Sequence, residues 1–319
     1  GLLTALMKKQ LTHVQERGES LAILLASESA IYGRFGYGLA TNSMRIEIDK
    51  RHGHFERTFH PKGKVRLPKH LEAREILPDV YERMCGVQPA AINRSAAWWD
   101  GWFKDPKSDR DGASHRFYVV YTSTSGTNDG YAAYRIRDNW EGGFPANTLE
   151  INDFVTVTPE ARTALWRYCL DVDLVQIVKG RNLPVDEPLR WMLREPRHMR
   201  ITSLGDFLWA RLVDIPKALE SRRYLVDGSV SLRVEDPFLP DNSGTYGLEG
   251  GPDGARCSHS NGEADLELMV QDLGAGYLGG VRFSTLARAG RVHERTPGAL
   301  ARADAMFESD PQPWCATGF

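Results

Sequence analysis

Ser27-Glu28-Ser29-Ala30-Ile31-Tyr32-Gly33-Arg34-Phe35-Gly36-Tyr37-Gly38 sets three glycines among three aromatic residues. This composition reads as a tight, tyrosine-bearing turn. Just before it, Leu21 to Ala26 is a short apolar run that predicts a strand. Before that strand, apolar residues recur at Leu2, Leu3, Leu6, Met7, Leu11 and Val14. That spacing predicts a helix with Gly1 at its first turn. After the turn, Met44-Arg45-Ile46-Glu47-Ile48-Asp49 alternates apolar and polar residues, as a half-buried strand does. Residues 50–71 are basic and carry His and Pro, and read as a linker out of the first domain.

The middle of the chain repeats the opening plan. Helices are predicted near Leu77–Cys85 and over Ala96–Phe103, the second with an aromatic stripe of Trp98, Trp99, Trp102 and Phe103 that reads as core. Strands at 116–121, 130–137 and 149–157 follow, the first two joined by a Ser/Gly/Asn turn. Thr158-Pro159-Glu160-Ala161 then starts a helix, and a strand follows at 174–178. This helix-then-strand order echoes the start, with one difference. The second helix opens with Pro159 and Glu160 in place of glycine. A carboxylate there repels an anion that a helix N-terminus otherwise attracts. The first copy is therefore the catalytic candidate and the second a structural relic. Beyond Arg200, strands are expected at 207–214, 228–235 and 265–270, with helices at 216–222 and 296–307. Gly250-Gly251-Pro252-Asp253-Gly254 reads as a hairpin turn, since no Lys-Ser/Thr and no helix follow to make it a phosphate loop.

Bulk properties narrow the function. The chain of 319 residues carries a net charge of -2 and an isoelectric point near 6.6, so no basic field invites nucleic acid. Arg181, Arg190, Arg194, Arg197 and Arg200 alternate with acids and read as a solvated face. Cys85, Cys169, Cys257 and Cys315 lie far apart with no CxxC, which supports neither a zinc site nor a disulfide framework and suits a reducing cytoplasm. No apolar run reaches the ~18 residues of a membrane span. His52-x-His54 with Glu56 has ligand-type residues, but Arg51 and Arg57 flank it, so an exposed loop without metal is expected.

The segment Ile31-Tyr32-Gly33-Arg34-Phe35-Gly36-Tyr37-Gly38, with the serines before it, closely resembles the Eis (enhanced intracellular survival) family of GNAT acetyltransferases. Gly1-Leu2-Leu3 is similar to the tail of that family's CoA-binding motif, with Leu3 departing from its last position. Phe207-Leu208-Trp209-Ala210-Arg211-Leu212-Val213-Asp214-Ile215-Pro216-Lys217-Ala218-Leu219-Glu220 resembles the family's entry into a sterol-carrier-protein-like domain, and the chain ends on Phe319 as the family does. The resemblance covers essentially all residues. It implies a mixed α/β architecture of two GNAT acetyltransferase folds in tandem followed by a sterol-carrier-protein-like domain. The expected spans are 1–58 for the back half of the catalytic domain, whose leading strands precede this text, 59–200 for a degenerate second copy, and 201–319 for the last.

The resemblance also implies the chemistry. Such proteins transfer acetyl from acetyl-CoA to primary amines, notably those of aminoglycosides and sometimes at several positions. Protein lysines are an alternative substrate class, and a lipid-binding role for the sterol-carrier-like domain is a more distant one. The assembly implied is a homo-hexamer acting on a small polyamine, without nucleic acid, membrane or metal. Tyr32 matches the general acid; a phenol of pKa ~10 keeps its proton at neutral pH and can give it to a departing thiolate. The implied base is the α-carboxylate of Phe319, a group of ordinary pKa ~3.3–3.7 that gains basicity only when partly desolvated. Gly1, Leu2 and Leu3 would offer amides to the CoA pyrophosphate. Ser27 is a cofactor contact or simply a helix cap, and Asp206 a carboxylate for a cationic substrate or an ordinary loop acid. Two departures remove polar groups: Gly318 stands where the family has an acid, and Leu25 where it has a His.

Overall fold

A computed structural model describes residues 1–319. The chain forms two compact units, one of Gly1–Asn42 with Asp206–Phe319 and the other of Ser43–Gly205. The first unit opens with helix α1 (Leu2–Glu16), which buries Met7, Leu11 and Val14 one turn apart. Strand β1 (Leu21–Leu25), helix α2 (Ser29–Tyr32) and the short strand β2 (Gly38–Leu39) follow.

The second unit is built on a seven-stranded sheet. Its strands are β3 (Asn42–Asp49), β4 (Lys64–Arg66), β5 (Phe117–Thr122) and β6 (Asn128–Arg137), then β9 (Asn147–Thr156), β10 (Val175–Leu183) and β11 (Arg200–Asp206). The order across the sheet is β11-β3-β10-β9-β6-β5-β4. A two-stranded hairpin, β7 (Trp140–Glu141) with β8 (Phe144–Pro145), projects between β6 and β9. Helices α3 (His70–Cys85), α4 (Ala96–Lys104), α5 (Pro159–Asp171) and α6 (Leu189–Met192) complete the unit. Strands β9 and β10 are parallel and α5 is their crossover, the arrangement that a right-handed βαβ connection imposes. Thr158 caps α5 as its sequence predicts, its hydroxyl accepting from the Ala161 N–H at 3.2 Å.

The division differs from the expected spans at both boundaries. Met44, Ile46 and Ile48 of β3 do alternate inward, but β3 pairs with β10, Ile48 opposite Val178. The crossing between units therefore falls before residues 50–71, because the apolar face of β3 belongs to the seven-stranded sheet. At the other end, strand β12 (Leu208–Leu212) pairs antiparallel with β1, Leu25 opposite Leu208 and Leu21 opposite Leu212, and its other edge takes β2. The segment read as the entry to the last domain is thus the central strand of the first unit's opening sheet.

Helix α7 (Ile215–Glu220) leads into a five-stranded sheet of β13 (Gly228–Glu235), β14 (Gly244–Gly251), β15 (Gly254–His259), β16 (Leu266–Met269) and β17 (Val292–Glu294), ordered β15-β14-β13-β16-β17. The Gly-rich segment at 250–254 is the β14–β15 hairpin turn, as expected. Helices α8 (Val270–Gly276), α9 (Phe283–Arg288) and α10 (Ala299–Phe307) cover the sheet. Leu232, Leu266, Phe283 and Met306 are fully buried in one continuous core with their neighbours.

Glycines bring the two ends of the first unit together. A Cβ on Gly274 of α8 would lie 2.5 Å from the Ala210 carbonyl oxygen and 3.3 Å from the Gly38 nitrogen; one on Gly38 would fall 1.9 Å from the Gln271 carbonyl oxygen. Helix α8 therefore lies directly on the backbone of β2 and β12. Gly280 makes room in the same way for the Ala40 carbonyl and the Pro313 ring, each 2.8 Å from where its Cβ would be. The chain's last segment is thereby seated beside the strand that follows the tyrosine turn.

Candidate active site

The tyrosine turn is closed by its own backbone. The Tyr37 N–H donates to the Tyr32 carbonyl at 3.3 Å, and Gly36 takes a left-handed conformation with φ of 84°. Gly36 is fixed sterically as well as conformationally. A Cβ there would lie 2.6 Å from the guanidinium carbon of Arg211. Arg211 comes from β12 and is wholly buried, as is Asp236, with which it pairs at 2.6 Å. Asp236 also accepts from the Leu239 N–H at 3.0 Å and from the Asn242 amide at 3.0 Å. A buried charge pair survives only when its remaining lone pairs are satisfied in this way. Arg211 is the post on which the signature turn rests. Asp214 caps α7 through the Lys217 N–H at 3.0 Å, and Glu220 accepts from the Cys257 N–H at 2.9 Å.

Two tyrosines face each other in this turn, with ring centroids 6.4 Å apart and edge-on. Tyr37 is 1% exposed and its hydroxyl has no hydrogen-bond partner. Burial pushes its phenol up to about 12, against the opposing pull of the Arg211 guanidinium. Tyr32 sits at the end of α2 and is half-buried. Of the pair, Tyr32 is the one that solvent and substrate can reach.

The other sequence-designated residues lie in the same compact unit. Gly1 precedes the first turn of α1, which has neither an acidic residue nor a side-chain cap, and Gly1, Leu2 and Leu3 are exposed. A first turn without a carboxylate is compatible with an anion at the positive end of this 15-residue helix. Ser27 is exposed and is not the helix cap; Glu28 holds that position, and its side chain caps nothing. Asp206 is exposed and its carboxylate is held by the Trp209 indole N–H at 2.8 Å. Leu25 is half-buried opposite Leu208, in register in the sheet.

At the C-terminus, Trp314, Cys315 and Thr317 are buried, the Cys315 thiol donating to the Thr317 carbonyl at 3.3 Å. Gly318 is exposed, and Phe319 is 60% exposed. Trp314, Cys315 and Thr317 therefore anchor this segment, and Gly318 and Phe319 emerge from it into solvent.

In the second unit, the end of α5 that corresponds to the anion-accepting end of α1 is already filled. The Glu160 carboxylate there accepts from the Lys62 N–H at 2.6 Å. His52 does not gather His54 and Glu56. Its ring stacks on His198 at 3.6 Å, and His198 Nε2 lies 3.0 Å from Glu195. The ligand-type atoms of His52, His198 and Glu195 lie within 4.8 Å of one another, a different group from the one expected from the sequence. All four cysteines are free thiols. No helix is long and apolar enough to cross a membrane.

Comparison with known proteins agrees with this geometry. Acetyltransferase (GNAT) domain models match residues 1–40 and 90–212, and a sterol carrier protein domain model matches residues 215–316. An uncharacterised N-acetyltransferase of Streptomyces coelicolor is 41% identical over 323 aligned positions, covering 100% of this chain and 77% of that protein. N-acetyltransferase Eis of Mycobacterium tuberculosis is 32% identical, covering 97% of this chain and 74% of its own length. The crystal structure of Eis1 from Mycobacterium abscessus superposes with a TM-score of 0.88 at 33% identity, over 100% of this chain and 78% of that one. A GCN5-related N-acetyltransferase from Anabaena variabilis shares the fold at 22% identity, with a TM-score of 0.84 over 99% of this chain and 77% of that one. The tyrosine turn, the open helix end and the sterol-carrier-like sheet thus have one common context, and the chain belongs to the Eis family of GNAT N-acetyltransferases.

Proposed function

We propose that this N-acetyltransferase, for which acetyl-CoA is the acetyl donor as in other GNAT enzymes, acts on primary amines of compact polycations of the aminoglycoside type. The observation that carries the reading is the anchored tail. Trp314, Cys315 and Thr317 are buried in the same unit as Tyr32 and α1, which supports the proposal that a carboxylate at Phe319 serves the site. In the proposed reaction the Phe319 carboxylate takes a proton from the substrate ammonium. The freed amine attacks the thioester carbon, and Tyr32 gives its phenolic proton to the departing thiolate. The first-turn amides at Gly1, Leu2 and Leu3 hold the cofactor's pyrophosphate, Ser27 borders it, and Asp206 attracts a second cationic group of the substrate. The apolar Leu25 and the neutral Gly318 leave fewer charges for substrate than other family members carry, which narrows the range of amines accepted.

The test is CoA release by the full-length protein with a panel of aminoglycosides and lysine peptides. Turnover of the former with negligible turnover of the latter is expected; the reverse order assigns the protein to peptide lysines. Appending a few residues after Phe319 is expected to abolish activity, whereas Phe319→Ala, which keeps a terminal carboxylate, retains a measurable part. Full activity of the extended protein rules out the terminal base. We further propose a homo-hexamer acting in the cytoplasm, the first checked by analytical ultracentrifugation and the second by cell fractionation.

A further inference from the structure

The second unit holds a pocket of about 520 Å³ between the approach to α3, the end of α4 and the start of β5. Five arginine and lysine side chains line it, Lys69, Arg74, Lys104, Arg110 and Arg116, against one carboxylate, Asp105. That carboxylate is already shared. Arg135 ion-pairs with it, and Arg110 and Arg116 stand 3.6 and 3.9 Å away. The Arg116 N–H donates to it as well, at 2.9 Å. One negative charge thus faces three guanidinium groups.

Arg116 is the buried cation of this wall, sharing its one carboxylate with two other arginines and lying beside the Tyr118 phenol. Its side chain is 10% exposed, and its guanidinium lies 4.0 Å over the Trp102 ring. One of its terminal nitrogens donates to the Trp102 carbonyl at 2.6 Å, while Nε has no hydrogen-bond partner. Burial lowers its pKa, opposed by the charge of Asp105. A desolvated cation short of anionic partners raises the affinity of its cavity for an anion. The remaining walls are apolar and aromatic, with Leu67, Phe103, Phe117 and Tyr118, and Phe103 meets Tyr118 at 5.7 Å between centroids. The pocket is separate from the end of α5, which Glu160 fills.

We propose that this pocket binds a small phosphomonoester carrying a planar ring, the phosphate held by Arg116, Arg110 and Lys104 and the ring lying against the accessible Leu67 and Phe117. The degenerate GNAT copy would then be a ligand-binding module with its site displaced from the ancestral one. Arginine suits this task because its planar fork pairs with two phosphate oxygens at once.

The test is calorimetric titration of the full-length protein, saturated with acetyl-CoA so that the catalytic unit's anion site is occupied. The probes are phenyl phosphate, inorganic phosphate and AMP. Phenyl phosphate is expected to bind about tenfold or more tightly than inorganic phosphate, with affinity falling as salt rises. AMP binding tighter than phenyl phosphate identifies a nucleotide as the source, and equal binding identifies a general aryl or sugar phosphate. Arg116→Met is expected to lose about tenfold or more in affinity with acetylation rates unchanged. Should Arg116→Met not fold, Lys69→Gln with Lys104→Gln, both on exposed residues, is expected to cost a few-fold and flatten the salt dependence. No saturable binding at millimolar phenyl phosphate, or unchanged affinity in these variants, overturns the proposal.

Discussion

Gly274 and Gly38 meet backbone to backbone: a Cβ on the first would stand 3.3 Å from the amide nitrogen of the second. Nothing in the local sequence of either demands glycine for its dihedral angles, so the requirement is one of space. It is the contact by which the sterol-carrier-like part leans on the strand that leaves the tyrosine turn. Gly38→Ala is expected to be the harsher of the two alanine substitutions, because its Cβ would fall inside the Gln271 peptide. Each should cost at least about 1–3 kcal/mol by overpacking. Thermal melts of the two variants, with the half-buried Gly205→Ala as a control whose Cβ meets open space, check this.

Arg211 and Asp236 predict an asymmetry. Removing either partner alone, as Arg211→Met or Asp236→Asn, should destabilise by about 3–5 kcal/mol, since it strands a charge in the interior. The Arg211→Met variant should also loosen the turn at Gly36 and lower kcat. Replacing both partners with apolar residues should recover much of the stability but not the rate. Equal stability loss in the single and double variants would contradict the pairing.

The two tyrosines of the turn separate by their surroundings. Tyr32→Phe is expected to lower kcat by about 10²–10⁴-fold, the usual cost of a lost general acid. Tyr37→Phe removes a buried hydroxyl that has no partner. It should be neutral or slightly stabilising, by at most about 1 kcal/mol, with kcat little changed. With its phenol pushed up to about 12 and shut away from solvent, Tyr37 is a poor proton donor. A pH–rate profile of Tyr37→Phe that overlays the parent's supports this division; loss of activity in Tyr37→Phe and its retention in Tyr32→Phe would reverse the assignment.

Asp105 gives the second unit a pH dependence of known sign. Burial raises its pKa, but the Arg116 N–H and the neighbouring guanidinium groups outweigh that and leave it lowered from 3.8. A carboxylate depressed in the folded state stabilises above its unfolded pKa, and the contribution is lost as pH falls through the folded value. Acid melts between about pH 5 and 2 should therefore fall less steeply in Asp105→Asn than in the parent. The variant should be less stable at pH 7, where the parent's carboxylate holds three arginines.

Much of this was readable from local pattern. The 3.6-residue spacing of Met7, Leu11 and Val14, the Thr158-Pro159 cap and the alternation of Gly228–Glu235 each act within one element, so each survives in the text of the sequence. Helix α8 has no such local signature, because Val270, Leu273 and its small residues pack on strands far away in sequence. What pattern could not supply was pairing at a distance. Residues 207–214 read correctly as a strand, but its partner β1 is the product of register between segments separated by the whole second unit. Arg211 looked like one more polar residue in an amphipathic run. Its burial follows only once Gly36 and Asp236 are brought to either side of it. The one textual hint was the left-handed glycine after Arg34-Phe35, which marks a place where something must approach closely.

The antiparallel pairing of β1 with β12 has a temporal meaning. During synthesis β1 leaves the ribosome first, and its partner follows only after the complete Ser43–Gly205 unit has been made. The intervening unit has its own sheet and core and can fold as it emerges. Ile23 and Leu24 cannot pair with β12 until that strand has been made, and closing so long a loop is favoured by the compaction of what lies inside it. The sheet beside the tyrosine turn is therefore completed late, and a chain interrupted between residues 38 and 211 carries the signature turn without the arginine that holds its shape.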